Sequence, residues 1–354
     1  MPIKLLLEWM LAWSVDNPAT IINCCPEDWT SLLAGLLKLQ KDQRRMFAYT
    51  MRRLMVAIPT MLVIIAVAFF MMRLAPGSPF DTERALSPEI RAQLMTFYGF
   101  DKPLYIQFLD YLKGLATFDL GPSLIYKDQT VSEIIGSGFP VSMTIGLAAL
   151  LLATCVGVPM GLFAALKQNS LPDYSIMAIA MAGICIPSLV VGPILSLVFG
   201  VYLGWLPTAG LDLGKMTFET LLLPVVTLSL AQIAIISRLV RSSAVEVLRS
   251  NFVRTARAKG LPELQVLSKH ALRAALLPLV SYLGPACAGL ITGSVVVETV
   301  FQLPGIGKNF VTSALQRDYP VVMAVVVLYA GLIILLNLLA DLAYGLLDPK
   351  VKYE

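Results

Sequence analysis

Residues 238–273 read RLVRSSAVEVLRSNFVRTARAKGLPELQVLSKHALR, the longest polar interruption in the hydrophobic C-terminal half of the chain. The acidic residues of this stretch are Glu246 and Glu263. Its basic residues are Arg238, Arg241, Arg249, Arg254, Arg257, Lys259, Lys269 and Arg273. Long apolar segments lie on both sides, and basic loops between membrane spans stay in the cytoplasm. We therefore predict a membrane protein in which residues 238–273 form a cytoplasmic loop.

The composition of the whole chain also indicates a membrane protein. Hydrophobic residues make up 57% and charged residues 14% of the 354 residues, with a mean hydropathy of +0.76. Soluble domains carry about 25% charged residues. The net charge of +4 is concentrated in the proposed inner segments, so it reflects membrane orientation and not nucleic-acid binding. The five cysteines form neither a disulfide framework nor a CxxC metal site.

Hydropathy predicts six membrane-spanning helices, because each apolar segment is long enough for a bilayer crossing of about 20 residues. The six lie at Leu54–Leu74, Pro140–Leu166, Tyr174–Leu203, Thr220–Ile236, Ala274–Val297 and Val321–Leu342. The third contains Pro187 and Pro193, which predict a kink or a tilt. An even number of spans puts both termini on one side. Basic residues before the first span and after the last predict that this side is the cytoplasm.

Between the first two spans, residues 73–139 are too polar to cross a membrane and too long for a simple turn. This segment keeps many aromatic and aliphatic residues, which argues against a disordered loop. One short amphipathic helix is predicted there by the spacing of Ile106, Phe108, Leu109, Tyr111 and Leu112. We expect a small folded cap on the outer surface.

Residues 1–45 form a separate N-terminal extension, ahead of a transmembrane domain that covers residues 46–354. Its apolar stripe at Trp29, Leu32, Leu33, Leu36 and Leu37 is suited to lying on a membrane surface. Met46 resembles a natural start just before the first span. The extension is therefore either an interfacial appendage or upstream sequence misassigned to the gene, and an intact-mass measurement of the native protein distinguishes the two.

Inside the basic loop, local signals predict a compact helical element. Ser250 and Asn251 are good N-cap residues, and Phe252–Lys259 provides two helical turns. Gly260 occupies the position of a left-handed C′ residue, and Pro262 begins a second helix. The first helix presents an apolar ridge and a basic flank, an arrangement suited to docking.

The side chains of this short helix divide into two sets. Phe252, Val253 and Ala256 share one face, whereas Arg254 and Arg257 point elsewhere. A purely orienting role for the arginines would require charge without shape, so we assign the Phe252–Gly260 element a specific contact. For Arg238, Arg241 and Lys269, the positive-inside rule or contact with anionic lipid is an equally good explanation.

The sequence RTARAKGLP at Arg254–Pro262 resembles the cytoplasmic EAA loop of ABC importer permeases. In that family the loop reads Glu-Ala-Ala, three residues, Gly, nine residues and then Ile-x-Leu-Pro. Ala256, Gly260 and Leu272 agree with the pattern. The departures resemble the oligopeptide/dipeptide branch of the family, and they are Arg254 for Glu, Thr255 for Ala, His270 for Ile and Arg273 for Pro.

Other segments extend this resemblance over nearly the whole chain from Met46 onward. They are Met72–Phe80, Gly121–Ser123, Phe139–Ser142, Ala164–Asn169, Gly293–Thr299 and Leu303–Gly307. The resemblance implies an all-α membrane protein with the type I ABC importer permease fold. It also implies a bacterial cytoplasmic membrane location and a role in importing peptides, and it favours oligopeptides over dipeptides.

The resemblance further implies what the chain works with. The Phe252–Lys259 helix would be a coupling helix seated in a groove of an ATP-hydrolysing subunit, with Gly260 making the turn. Two such cytoplasmic ATP-binding subunits, a second homologous permease and an extracytoplasmic substrate-binding protein would complete the transporter. ATP-driven closure of the ATPases would switch the spans between inward-open and outward-open.

The chain itself is not expected to be an enzyme or to hold a cofactor or metal; ATP and Mg²⁺ would be used by the ATPase subunits. Gly305–Asn309 superficially resembles a phosphate loop, but Gln302 and Asn309 replace its required glycine and hydroxyl residue. The segment also lies on the outer side of the predicted topology. Pro304, Gly305 and Gly307 are instead predicted to form an outer turn that the binding protein touches.

Several alternatives stay open on the sequence. The same machinery could import dipeptides, nickel or glutathione. A proton-coupled secondary carrier is the rival from another class, but such carriers usually place acidic or histidine residues deep in the membrane, and the predicted span centres contain none. A structural scaffold is the third option. Gln232 in the fourth span either faces a translocation path or bonds a neighbouring helix.

Overall fold

A computed structural model describes residues 27–74, 87–126, 129–208, 210 and 216–347, with side chains described between Thr50 and Ala343. The chain divides into two compact units, Met1–Val56 with Val351–Glu354, and Ala57–Lys350. In the first unit the described residues are the helical stretch 27–56. The packing described below lies within the second unit.

The described residues are helical apart from turns and one isolated antiparallel bridge between Pro122 and Thr130. Two π-helical stretches, Ser196–Tyr202 and Val266–Ala271, continue the helices that end at Leu195 and Gln265, and the second leads into the helix that begins at Leu272. The helices are α1 Glu27–Leu74, α2 Pro88–Phe97, α3 Leu104–Ala116, α4 Val131–Leu166, α5 Leu171–Cys185, α6 Ser188–Leu195, α7 Phe218–Leu248, α8 Asn251–Ala258, α9 Glu263–Gln265, α10 Leu272–Ala275, α11 Leu277–Gly293, α12 Val295–Val300, α13 Ile306–Leu315 and α14 Tyr319–Leu347.

Small residues on α4 allow the central helices to approach closely. A Cβ added at Gly157 would lie 3.0 Å from the carbonyl oxygen of Ile233 in α7. Such contacts suit helices in lipid, where association depends on packing and not on exclusion of water. The apolar core of α4, α7, α11 and α12 forms around Ile145, Leu223 and Phe301.

Five stretches are long and apolar enough to cross a membrane: Thr50–Leu74, Val131–Leu166, Phe218–Leu248, Leu277–Val300 and Tyr319–Ala343. The predicted third span is instead a pair of helices, Leu171–Cys185 and Ser188–Tyr202, bent by 99°. This bent pair makes a sixth crossing only if it counts as one span. The break falls at Ile186 and Pro187, which adopt extended conformations, whereas Pro193 lies inside α6.

The region between the first two spans contains helices, as predicted. The amphipathic helix expected around Ile106–Leu112 is α3, and a second helix, α2, precedes it. Helix α3 packs through Phe108, Tyr111 and Leu112 against Phe69 of α1. Helix α4 begins at Val131, before the predicted start at Pro140, because Thr130 and Glu133 form a reciprocal capping box there.

Candidate functional site

The basic segment starts as a continuation of a membrane helix. Helix α7 runs past the predicted span end at Ile236 to Leu248, so Arg238 and Arg241 lie within it. Ser250 then occupies the N-cap position of α8 with an extended backbone, as predicted. Its hydroxyl does not cap the helix, however; it donates a hydrogen bond to the carbonyl oxygen of Val247 at 2.6 Å.

Helix α8 is anchored through one narrow face. Val253 and Ala256 are buried, and they pack against Val266 and Ala271 of the following π-helical stretch. Phe252 differs from the predicted common face, because half of its side chain (50%) is exposed. Successive helical residues are rotated by about 100°, which puts Phe252 at the edge of the buried stripe. The anchored helix therefore presents an aromatic ring outward.

Gly260 ends this element in the left-handed conformation that the sequence predicted, with φ of +75°. Its N–H donates to the carbonyl oxygen of Arg257 at 2.9 Å. A Cβ at this position would have no heavy atom within 4 Å. The requirement for glycine therefore comes from the backbone conformation and not from crowding.

An exposed ion pair between Arg257 and Glu263 connects the two sides of the turn. The Arg257 guanidinium donates two hydrogen bonds to the Glu263 carboxylate, of 3.2 Å from Nε and 2.6 Å from Nη2. These bonds hold the pKa of Glu263 below its ordinary value and raise the pKa of Arg257. Arg254 is exposed on the same helix. Of the two arginines, Arg257 therefore shapes the turn and Arg254 is presented to the surroundings.

The two possible explanations for Arg241 are resolved by its contacts. Its guanidinium binds the buried carboxylate of Asp173 in α5 through Nε at 2.5 Å and Nη2 at 2.6 Å. Arg249 donates to Gln168 at 3.0 Å. Lys269 is exposed. Arg241 thus has a specific structural partner, which a residue serving only the positive-inside rule would not need.

The turn between α12 and α13 encloses a buried acid. Glu298 in α12 has no exposed surface. Its carboxylate accepts hydrogen bonds from the hydroxyls of Ser142 at 2.6 Å and Ser294 at 2.5 Å, and from the backbone N–H of Lys308 at 3.0 Å. Ser142 in turn accepts the N–H of Ile306 at 2.9 Å. Together these bonds join α4, α12 and α13.

The three residues predicted for an outer contact have different surroundings. Pro304 is exposed, whereas Gly305 and Gly307 are buried. A Cβ at Gly305 would overlap the Glu298 carboxylate, and a Cβ at Gly307 would lie 2.7 Å from Val295. The two glycines thus allow the turn to close over Glu298, and their contact with a binding protein stays a prediction.

The sequence patterns did not single out Glu298 or Asp173 as functional residues. Glu298 lies one residue beyond the predicted end of the fifth span, and Asp173 lies just before the predicted start of the third. A carboxylate at the edge of an apolar segment is the signal that could have found both, since such groups need a partner when they are buried.

Other polar predictions can be placed on the structure. Gln232 bonds a neighbouring helix, because it accepts the hydroxyl of Tyr282 at 2.6 Å. His270 is exposed. Within the residues whose side chains the structure describes, no group of three or more His, Cys, Asp or Glu side chains could hold a metal ion.

Comparison with protein families gives two matches that cover most of the chain. The family described as the binding-protein-dependent transport system inner membrane component matches residues 157–353. The N-terminal part of the corresponding membrane component matches residues 46–146. The second match begins at the residue that the sequence analysis placed at the head of the transmembrane domain.

Individual relatives are similar over the same region. The oligopeptide transport system permease protein OppB of Salmonella typhimurium is 51% identical over 308 residues, which is 87% of this chain and 100% of that protein. OppB of Escherichia coli strain K12 is 50% identical with the same coverage. The dipeptide transport system permease protein DppB of Bacillus subtilis is 41% identical over 87% of this chain and 98% of its own length.

A solved structure supports the fold at lower sequence similarity. A chain of the MetNI methionine ABC transporter in an inward-facing conformation superposes with a TM-score of 0.52 and 19% identity. The match covers 61% of this chain and 96% of the other. At this identity the likeness concerns the arrangement of helices.

Proposed function

Because this chain belongs to the family of binding-protein-dependent transport system inner membrane components, we propose that it is the permease subunit of an ATP-driven peptide importer. Its partners in this proposal are a second homologous permease, two cytoplasmic ATP-binding subunits and an extracytoplasmic binding protein. The ATP-binding subunits use ATP and Mg²⁺, and this chain supplies a path through the bacterial cytoplasmic membrane.

The observation that carries the proposal is that α8 is anchored through one face and exposed on another. Val253 and Ala256 fix the helix to its own loop, while Phe252 and Arg254 face outward. Aromatic residues and arginine are both enriched at protein–protein interfaces, and α8 exposes one of each. This helix is proposed to seat in a groove of an ATP-binding subunit, with both termini of the chain on the same, cytoplasmic side.

Transport by this arrangement requires alternating access. A partner shifts a conformational equilibrium only as far as its contacts differ between the two states. Closure of the two ATP-binding subunits would draw the coupling helices of both permeases together, and the spans would open outward. On the opposite side, the turn at Pro304, Gly305 and Gly307 is proposed to receive the peptide-loaded binding protein.

Oligopeptides are the proposed cargo, and dipeptides are the second candidate. The sequence identity to this chain is 51% and 50% for the two OppB relatives and 41% for DppB of Bacillus subtilis. Since the binding protein delivers the cargo, the choice between peptide lengths depends on that partner as well as on this chain.

The direct test is peptide-dependent ATP hydrolysis by the reconstituted complex. We expect hydrolysis to rise when binding protein loaded with an oligopeptide is added to proteoliposomes, and labelled peptide to accumulate only with ATP. Binding protein loaded with a dipeptide measures the second candidate in parallel. Peptide uptake by this chain alone, driven by a proton gradient without ATP, would contradict the proposal and support a secondary carrier.

A further inference from the structure

We propose that Asp173 and Arg241 are a positioning pair that transmits movement of the coupling helix α8 to the bent helix pair α5–α6. The inference rests on the proposed function, because it assigns the route by which ATPase closure reaches the membrane helices. It concerns residues away from the docking face, which is formed by Phe252 and Arg254.

The pair has the geometry of a rigid joint. The Asp173 side chain is 1% exposed and the Arg241 side chain 25% exposed. Two parallel hydrogen bonds from one guanidinium fix the orientation of both side chains as well as their separation. The backbone N–H of Asn169 donates a third hydrogen bond to the carboxylate at 2.9 Å. Relative sliding of α5 and α7 would therefore leave a buried charge without its partner.

A second contact ties the same two regions together nearer to α8. Arg249 directly precedes the N-cap residue Ser250, and its guanidinium donates to Gln168 at 3.0 Å. Gln168 lies in the turn between α4 and α5. Arg241 and Arg249 are two helical turns apart, or roughly 12 Å along the axis. Two ties at this separation resist rotation of the α7 end as well as translation.

The second helix of the bent pair packs against the end of α12, which leads into the outer turn. Helix α5 leads through the break at Pro187 into α6, where Gly192 faces α12. A Cβ at Gly192 would lie 3.1 Å from Val300 and 3.3 Å from Phe301. Both residues follow Glu298 at the end of α12. A series of packed contacts thus runs from the α7–α8 junction, through Asp173 and the bent pair, to the outer turn.

Two other features near the α7–α8 junction suit roles other than the transmission of movement. Arg257 and Glu263 are both exposed and bond within the α8 loop, so they shape the docking element itself. The apolar cavity of about 180 Å³ between α4, α7 and the α9–α10 segment has nothing in the described residues that identifies an occupant. The ion pair of Asp173 with Arg241 is a buried charged contact that joins the bent pair to α7, the helix that leads into α8.

The test uses the complete transporter, isolated by capturing this chain together with its partner subunits. The chain carries the substitution Asp173→Asn. We expect the ATP-binding subunits to remain bound and to hydrolyse ATP, while peptide uptake per ATP hydrolysed falls about tenfold, within the 5–150-fold range of typical coupling between sites. The double exchange Asp173→Arg with Arg241→Asp should recover part of the loss. Asp110→Asn is the matched control, since it breaks the exposed Lys102–Asp110 pair of the cap.

Each outcome bears on a different claim. Equal uptake per ATP in Asp173→Asn and wild type would overturn the positioning role. If Asp173→Asn fails to assemble, Arg241→Lys and Gln168→Leu test the two ties by the same ratio, and an unchanged ratio in both refutes the role. A wild-type complex without peptide-dependent hydrolysis contradicts the proposed function instead.

Discussion

At the residue scale, two glycines are required for different reasons. Gly260 has open space around its Cβ position and a left-handed backbone, so its requirement is conformational. Gly305 lies against the Glu298 carboxylate, so its requirement is steric. Substitutions at the two positions should therefore fail in different assays, the first in partner binding and the second in folding.

Replacing Gly260 by valine should weaken retention of the ATP-binding subunits by about tenfold, because left-handed backbone costs an ordinary residue roughly 1–2 kcal/mol. Asparagine tolerates this conformation better, so Gly260→Asn is the matched control and should retain binding. Titration of purified ATP-binding subunit against the permease in detergent measures both. Equal binding by the two variants would show that the left-handed turn is dispensable.

Replacing Gly305 by alanine should lower the free energy of unfolding by about 1–3 kcal/mol, the usual cost of overpacking. Glu298 cannot move aside without losing its hydrogen bonds to Ser142, Ser294 and Lys308. Gly289→Ala is the control, since a Cβ there meets no heavy atom within 4 Å. Thermal unfolding in detergent should separate the two variants. An unchanged melting temperature for Gly305→Ala would refute the close packing.

At the element scale, α8 combines an anchored face with a presented face. Val253 and Phe252 are neighbours in sequence, yet Val253 is buried and Phe252 is half exposed. A short helix of two turns is marginal by itself, so tertiary packing must hold it in place. The two faces should respond to substitution independently.

We expect Phe252→Ala to leave thermal stability unchanged and to weaken binding of the ATP-binding subunit by at least about tenfold, since buried aromatic anchors dominate interfaces. Val253→Ala should behave in the opposite way and lower stability by about 2 kcal/mol through lost apolar burial. Comparing unfolding and subunit binding for both variants checks the assignment. If both lose stability equally, Phe252 belongs to the core of the loop and not to an interface.

At the scale of the whole molecule, the bent pair decides the topology. Five stretches qualify as spans by themselves, and a sixth crossing depends on Leu171–Cys185 and Ser188–Tyr202 acting together. Straight helices of this combined length would exceed about 30 Å of hydrocarbon, and the 99° bend shortens the distance between their ends. Crossing by the pair would put the two termini on the same side, as the basic residues predict.

Labelling from each side of the membrane tests that crossing. In otherwise cysteine-free protein, we expect Lys167→Cys, in the turn before α5, to react from the cytoplasmic side. Trp205→Cys lies beyond the bent pair at an exposed position and should react from the outer side. Reaction of both cysteines from the same side would make the pair a re-entrant loop and would put the termini on opposite sides.

The parts of the fold that could be predicted from sequence depend on local chemistry. Hydropathy locates the long spans, and Gly260 with Pro262 marks the end of α8 correctly. The 99° bend was predicted only as a kink, because a proline indicates a break but not its angle. The partners of Glu298 and Asp173 were inaccessible, since Ser142 is 156 residues from Glu298 and Arg241 is 68 residues from Asp173.

The distance along the chain between Ser142 and Glu298 has a consequence for biosynthesis. Chains are made from the N-terminus, so α4 enters the membrane long before the ribosome reaches Glu298. When Glu298 is made, Ser142 and Ser294 are already in the chain, and the backbone N–H of Lys308 is the donor to this carboxylate that is still missing. Nascent chains that stop between Glu298 and Lys308 would keep the two hydroxyl donors but lack the backbone donor, so this carboxylate would be only partly satisfied in an unfinished permease.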